Sequence, residues 1–109
     1  MGEQLDILWQ LLDAEANNTN CKKRQVGCII YDVLNKEVMG IGHNYHPDGI
    51  CDCVPGPSTA VHAEINAIDN IRINGFNKDE CIALVNRKPC DNCNKALEKI
   101  VYEVRYRQE

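Results

Sequence analysis

The chain has 109 residues, 44% of them hydrophobic, and a formal net charge of −4. That is enough for one small globular domain, near the lower limit of what buries an adequate core, and it excludes a disordered chain. The acidic balance, with Lys22-Lys23-Arg24 as the densest basic cluster, argues against a grip on a long nucleic acid, although three adjacent bases suffice for one phosphate.

In residues 3–16, Leu5, Leu8, Trp9, Leu12 and Ala16 mark an amphipathic helix that ends at Asn17-Asn18. VGCIIYD (Val26–Asp32) reads as a buried strand. EVMGIGHN (Glu37–Asn44) reads as its hairpin partner, joined through Asn35-Lys36. YHPDGICDCVPGPST is a loop punctuated by Pro47, Gly49, Pro55, Gly56 and Pro57. STAVHAEINAIDN (Ser58–Asn70) then carries Val61, Ile65 and Ile68 at helical spacing, an apolar stripe built for burial. CIALVNR (Cys81–Arg87) is a third strand, Pro89 opens a helix reaching about Ile100, and VYEVRYR (Val101–Arg107) alternates as a fourth strand.

The order α-β-β-α-β-α-β predicts a three-layer α/β/α domain with a mixed sheet. Its last β-α-β unit should be a parallel, right-handed crossover. Without internal repeats, low-complexity tracts or linkers, residues 1–109 are expected to form a single domain. The fourth strand leaves a sheet edge to be covered, so a homo-oligomer is expected. No apolar run approaches a membrane span, and MGEQLDIL lacks the form of a signal peptide, so the expectation is a cytoplasmic protein with no membrane partner. Seven cysteines, an odd number that includes Cys90-Asp-Asn-Cys93, favour metal binding over disulfides in that compartment.

His62, Cys90 and Cys93 are candidate zinc ligands, each at or near the start of a predicted helix. Helix N-termini stabilise negative charge, which favours thiolates at the cysteines and discourages a proton on His62. Three protein ligands leave a fourth tetrahedral position for water, the pattern of catalytic zinc sites. Glu64 then has a use. Two residues turn a helix by about 200°, so His62 and Glu64 do not share a face, but in the first turn both can point end-on at one ion. A carboxylate placed beside a zinc-activated water can take its proton and later deliver it to a leaving group.

Blander readings stand beside these. Cys51, Cys53, Cys90 and Cys93 would also make a closed structural zinc site, leaving His62 and Glu64 as ordinary helix-start residues. Asn44 suits a strand end. Cys28 and Cys81 lie in apolar strands as small hydrophobes. Arg24, Arg105 and Arg107 are candidates for a phosphate, though surface arginines are usually less specific.

His-x-Glu followed by Pro-Cys-x-x-Cys, here HAE at 62–64 and PCDNC at 89–93, is the signature of zinc-dependent nucleobase deaminases. The sequence resembles the cytidine deaminase-like superfamily, and within it most resembles deoxycytidylate (dCMP) deaminases. The likeness spans roughly Arg24 to Val104, through RQVGCIIYD, GIGHNYHPDG, HAEINAI, PCDNCNKAL and VYEV. It implies zinc held by His62, Cys90 and Cys93, and Glu64 as the proton shuttle. It also implies Asn44 in contact with the sugar or base, and the Ala63 N–H on the pyrimidine carbonyl. The implied reaction is hydrolysis at C4 of a cytosine nucleotide, with dCMP becoming dUMP and ammonia.

The turn NYHP carries Tyr45 and His46 where the family has small or polar residues. Relative to dCMP deaminases the chain is short at its C-terminus, so a neighbouring subunit is the expected completion of the nucleotide pocket. The resemblance further implies a second, structural zinc held by Cys21, Cys51 and Cys53 with His43 or His46. The same superfamily holds tRNA adenosine, free-base or nucleoside, and riboflavin-pathway deaminases as alternatives. A non-catalytic zinc module is the alternative of a different class.

Overall fold

The computed structural model describes residues 2–19, 24–47, 61–71 and 76–107. In chain order these form α1 (Gly2–Ala16), β1 (Gly27–Asp32), β2 (Glu37–His43) and α2 (Ala63–Asp69). A 3₁₀ turn (Lys78–Glu80) leads into β3 (Cys81–Val85), followed by α3 (Asp91–Glu98) and β4 (Glu103–Tyr106). The sheet runs β2-β1-β3-β4, with β1 antiparallel to both neighbours and β3 parallel to β4. The expected α/β/α architecture, mixed sheet and parallel last unit are all present.

β1 and β3 occupy the centre and are buried along their whole length. A strand covered on both faces reads as a continuous apolar run, which is why GCIIYD and CIALV lack polar alternation. Their side chains divide between two cores. Ile29, Tyr31, Ile82 and Leu84 meet Leu8 and Leu12 of α1 on one face. Cys28, Ile30, Ala83 and Val85 meet Ala63 and Ala67 of α2 and Leu97 of α3 on the other. Full burial of a leucine such as Leu12 is worth roughly 1.5–3 kcal/mol. The half-exposed pair between Arg107 Nη1 and Asp13 Oδ1, 2.7 Å apart, is worth about 1 kcal/mol or less. The apolar stripe therefore docks α1, and the ion pair only trims it.

Asp32 closes the β1–β2 hairpin. Its Oδ1 accepts from the Leu34 and Asn35 amides at 3.0 and 2.9 Å, an Asx turn that precedes Lys36 in the left-handed region (φ 56°). Hydrogen bonds from Asn35 hold the Asp32 carboxyl below its ordinary pKa.

Two expectations are corrected. β3 ends at Val85 and not Arg87: at Asn86 the amide still reaches Gly27 O (3.4 Å), but the side chain takes over the pairing, Oδ1 accepting from Gly27 N–H (2.9 Å) and Nδ2 donating to Gln25 O (2.9 Å). The buried face of α2 is also not the Val61-Ile65-Ile68 stripe. Ala63, Glu64 and Ala67 are buried, Ile68 is half-buried, and Ile65 is 36% exposed. The cause lies in β2, where a Cβ on Gly42 would stand 2.5 Å from the Ala67 nitrogen. Contact that close admits alanines and leaves no room for isoleucine. Among the described residues, no helix is long and apolar enough to cross a membrane.

Candidate metal centre and active site

Three local structures bring the site together. Tyr45 and Val61 form an isolated antiparallel bridge (Tyr45 N–H to Val61 O 3.0 Å, Val61 N–H to Tyr45 O 2.7 Å), which closes the base of the long loop and delivers His62 beside the end of β2. His62 is the N-cap of α2, with extended backbone (φ −73°, ψ 150°). Cys90 is the N-cap of α3 in nearly the same conformation (φ −67°, ψ 165°), and Cys93 follows one turn later. Neither cap uses its side chain to bond the helix, so both side chains are free to turn toward a common point.

His62, Cys90 and Cys93 form the one potential metal-ligating cluster found among the described residues, with their donor atoms within 4.8 Å of one another. His62 Nδ1 lies 3.1 Å from Cys93 Sγ and 3.9 Å from Cys90 Sγ. A tetrahedral ion with Zn–S of about 2.3 Å and Zn–N of about 2.0–2.1 Å requires N···S separations of roughly 3.6 Å. The three donors bracket that value and are chemically a zinc set, so the residues fit the ion. The sequence expectation placed His62 and Glu64 in one helical turn. In the structure His62 lies outside the helix, which removes the 200° objection, and Glu64 is the second helical residue.

Glu64 is 4% exposed. Burial raises its pKa, opposed by a hydrogen bond from its own amide and by the charges of His62 and Arg24. Burial, a hydrogen bond with Cys90 and the charge of Glu64 together push the Cys93 thiol up to about 12. Desolvation comes first among these causes, so an ion bound at this cluster has to displace the thiol proton.

The Asn44 side chain is built into the backbone. Its Oδ1 accepts from Val26 N–H (3.0 Å) and its Nδ2 donates to Arg24 O (3.0 Å), while its own carbonyl accepts from Thr19 Oγ1. Asn44 and Asn86 thereby grip residues 24–27 from both sides, and Arg24 ends near enough to Glu64 to act on its charge. Of the three arginines considered for phosphate, Arg105 is paired with Glu103, and Arg107 is paired with Asp13 and stacked 4.6 Å over Trp9 on the α1 face. Ala63, the first helical residue, is fully buried.

Cys51 and Cys53, expected in either the closed cysteine site or the second zinc, and Cys21, expected in the second zinc alone, lie outside the described residues. Of the histidines named with them, His46 is buried, and His43 places Nδ1 2.7 Å from Glu15 Oε2. Cys28 and Cys81 are fully buried core residues, as expected.

Sequence reading missed the residues that hold α2 in place. Asn66 Oδ1 accepts from His43 N–H (3.0 Å), and Asn70 Nδ2 donates to Ile41 O (2.9 Å), so two asparagines four apart bond the free edge of β2. Their spacing, together with the glycines two apart in GIG, was the available signal.

Residues 3–106 match the family described as the cytidine and deoxycytidylate deaminase zinc-binding region. Among solved structures, dCMP deaminase from the cyanophage S-TIM5 in apo form is similar at 26% identity and TM-score 0.82, covering all of this chain and 86% of that one. The same cyanophage enzyme in complex with dCMP and dUMP gives 24% identity and TM-score 0.84, covering all of this chain and 84% of that one. Acinetobacter baumannii RibD shares the fold at 24% identity and TM-score 0.68, over 97% of this chain and 28% of its own. No curated protein sequence matches the chain.

Proposed function

The chain belongs to the cytidine and deoxycytidylate deaminase zinc-binding family, and from that premise we propose that it hydrolyses a cytosine nucleotide, dCMP plus water giving dUMP plus ammonia. The observation that carries this reading is the convergence of His62, Cys90 and Cys93 beside a buried Glu64. The likeness to the cyanophage dCMP deaminase supports the choice of nucleotide. Residues 1–109 are read as one catalytic domain, cytoplasmic, with a small-molecule substrate rather than a long nucleic acid.

In this reading His62, Cys90 and Cys93 hold one catalytic Zn²⁺. Zinc, when bound, supplies a nucleophile at neutral pH by lowering the pKa of water to roughly 7. Glu64 accepts the proton of the attacking water and passes it to N3 of the cytosine ring. A second transfer through the same carboxylate lets the C4 amino group depart as ammonia. Burial suits Glu64 to this work, since a pKa raised toward the working pH lets one group both take and give a proton. The Ala63 amide, in a helical turn whose N–H groups have no intrahelical partner, accepts the role of donor to the pyrimidine carbonyl. Asn44 keeps one amide hydrogen and one carbonyl lone pair beyond its backbone bonds, and these are offered to the sugar.

The test is ultraviolet absorbance during incubation with dCMP, CMP, deoxycytidine, cytosine and an adenosine-containing tRNA anticodon stem. We expect dCMP to react fastest. Glu64→Ala should retain zinc while activity falls by at least about 10²–10⁴-fold. A fully active Glu64→Ala protein would remove Glu64 from the mechanism. If the wild type deaminates none of these compounds, the chain is a zinc module without catalysis.

A further inference from the structure

The described cysteines are of two kinds. Cys28 and Cys81 sit inside the sheet and are fully buried. Cys90 is exposed, while Cys93, three residues on, is 4% exposed. Among these four sulfurs, an oxidant in solvent meets that of Cys90 first.

The backbone decides which second sulfur is in reach. Cys90 is the N-cap of α3 (φ −67°, ψ 165°), and Cys93 is the third residue of that helix. An N-cap side chain turns back over the third helical residue, which is how a capping serine reaches that residue's amide. Cys90 makes no capping bond, so its side chain is free to rotate toward Cys93. The two sulfurs already lie within 4.8 Å of each other. A disulfide holds them at about 2.05 Å, a closure of less than about 3 Å between two side chains on one helical turn. Cys28 packs on the same side of the sheet but is not among the donors gathered with them.

We propose that Cys90 and Cys93 form a reversible oxidation site, at which a hydroperoxide oxidises Cys90 and Cys93 then closes a disulfide that excludes the metal. The Cys90 sulfur attacks one oxygen of hydrogen peroxide. The S–O bond forms, the O–O bond breaks, and the released hydroxide leaves as water with the thiol proton. The Cys93 sulfur then attacks that of Cys90. The S–S bond forms, the S–O bond breaks, and the departing hydroxide leaves as water with the Cys93 proton. The sulfurs have together lost two electrons, and the peroxide has become two waters. A dithiol reductant reverses the link by exchange.

A sulfenic acid left in solvent reacts with more oxidant to give the sulfinic acid, which thiols do not reduce. A second sulfur one turn away, itself shielded from oxidant, intercepts it. Zinc and the disulfide compete for the same pair. The link leaves His62 as the last of the three donors, so the ion departs. Bound zinc withholds both sulfurs, and oxidation follows the zinc-free fraction.

No step depends on the deaminase reading, and the test reads thiols and metal, not turnover. The full chain, zinc-loaded or chelated, is exposed to hydrogen peroxide, its remaining thiols are alkylated, and the digest is mapped by mass spectrometry. The chelated chain should give a Cys90–Cys93 link that dithiothreitol removes. With zinc at about a tenfold excess over its dissociation constant, the link should form about tenfold more slowly. A chromophoric chelator should record the ion leaving as it forms. Cys93→Ser strands the oxidised Cys90, which should go on to a sulfinic acid that dithiothreitol does not reverse. Mapping of the parent decides the matter even if that variant misfolds. A parent in which Cys90 reaches the sulfinic acid while Cys93 stays reduced overturns the proposal. So does a link from Cys90 to any other cysteine, or one that forms equally fast under saturating zinc. A chain that forms the link yet never held zinc keeps the oxidation site and refutes the metal centre.

Discussion

Glu64 carries a raised pKa because its carboxylate is buried, and that has a cost in stability beside the catalytic use proposed for it. In the zinc-free protein a folded-state pKa above the unfolded one means that the fold favours the protonated acid. The penalty is absent below the ordinary carboxylate range, grows as pH rises through the raised value, and is complete above it. Glu64→Gln should therefore melt higher than the chelated wild type at pH 8, with the gap closing as the pH falls toward 4, as scanning calorimetry at several pH values would record. A constant gap would mean that the variant gains through packing and not through charge. The same variant should be inactive with zinc bound, a residue whose chemistry opposes its stability. The candidate donor cluster of His62, Cys90 and Cys93 and the carboxylate near it were legible from HAE and PCDNC, because those residue types at those spacings have few other uses. The elevated thiol of Cys93 was not, since burial enters only when the chain has folded.

α2 is placed by β2. Gly40 and Gly42 remove the side chains that would hold the helix off the sheet, and Asn66 and Asn70 bond the strand edge once it is close. A Cβ at Gly42 would stand 2.5 Å from both the Ala67 nitrogen and Asn66 Oδ1, so helix or strand must move. Gly42→Ala should cost about 1–3 kcal/mol and, because His62 caps the start of α2, should also lower zinc occupancy measured by metal analysis of the purified protein. A variant that loses stability yet keeps full zinc would show that His62 is held by the Tyr45–Val61 bridge alone. The helix itself was readable from its periodicity. Its buried face was misread because apolar spacing ranks Ile65 above Ala67, and only the distance to the neighbouring strand decides that small residues win.

At the scale of the whole molecule, the His62, Cys90 and Cys93 cluster joins the N-termini of α2 and α3 on one face of the sheet. An ion that binds the folded chain stabilises it by about 4 kcal/mol at a thousandfold excess over its dissociation constant. In a domain of this size each kcal/mol moves Tm by roughly 4–8 °C. Chelation should therefore lower Tm by more than about 10 °C, and zinc should restore it, as a thermal melt with and without chelator would measure. An unchanged Tm would dissociate the three side chains from any metal. Composition and pattern alone determined the element order, the buried character of β1 and β3, and the donor set of the candidate metal centre, because hydrophobic period and ligand chemistry are properties of residues near one another in sequence. The tertiary structure decided which face of α2 is buried, that β1 lies between β2 and β3, that Asn44 and Asn86 clamp residues 24–27, and that Arg24 rather than Arg105 or Arg107 approaches Glu64. Those outcomes depend on distances between segments far apart along the chain, and such distances exist only after the sheet has brought them together.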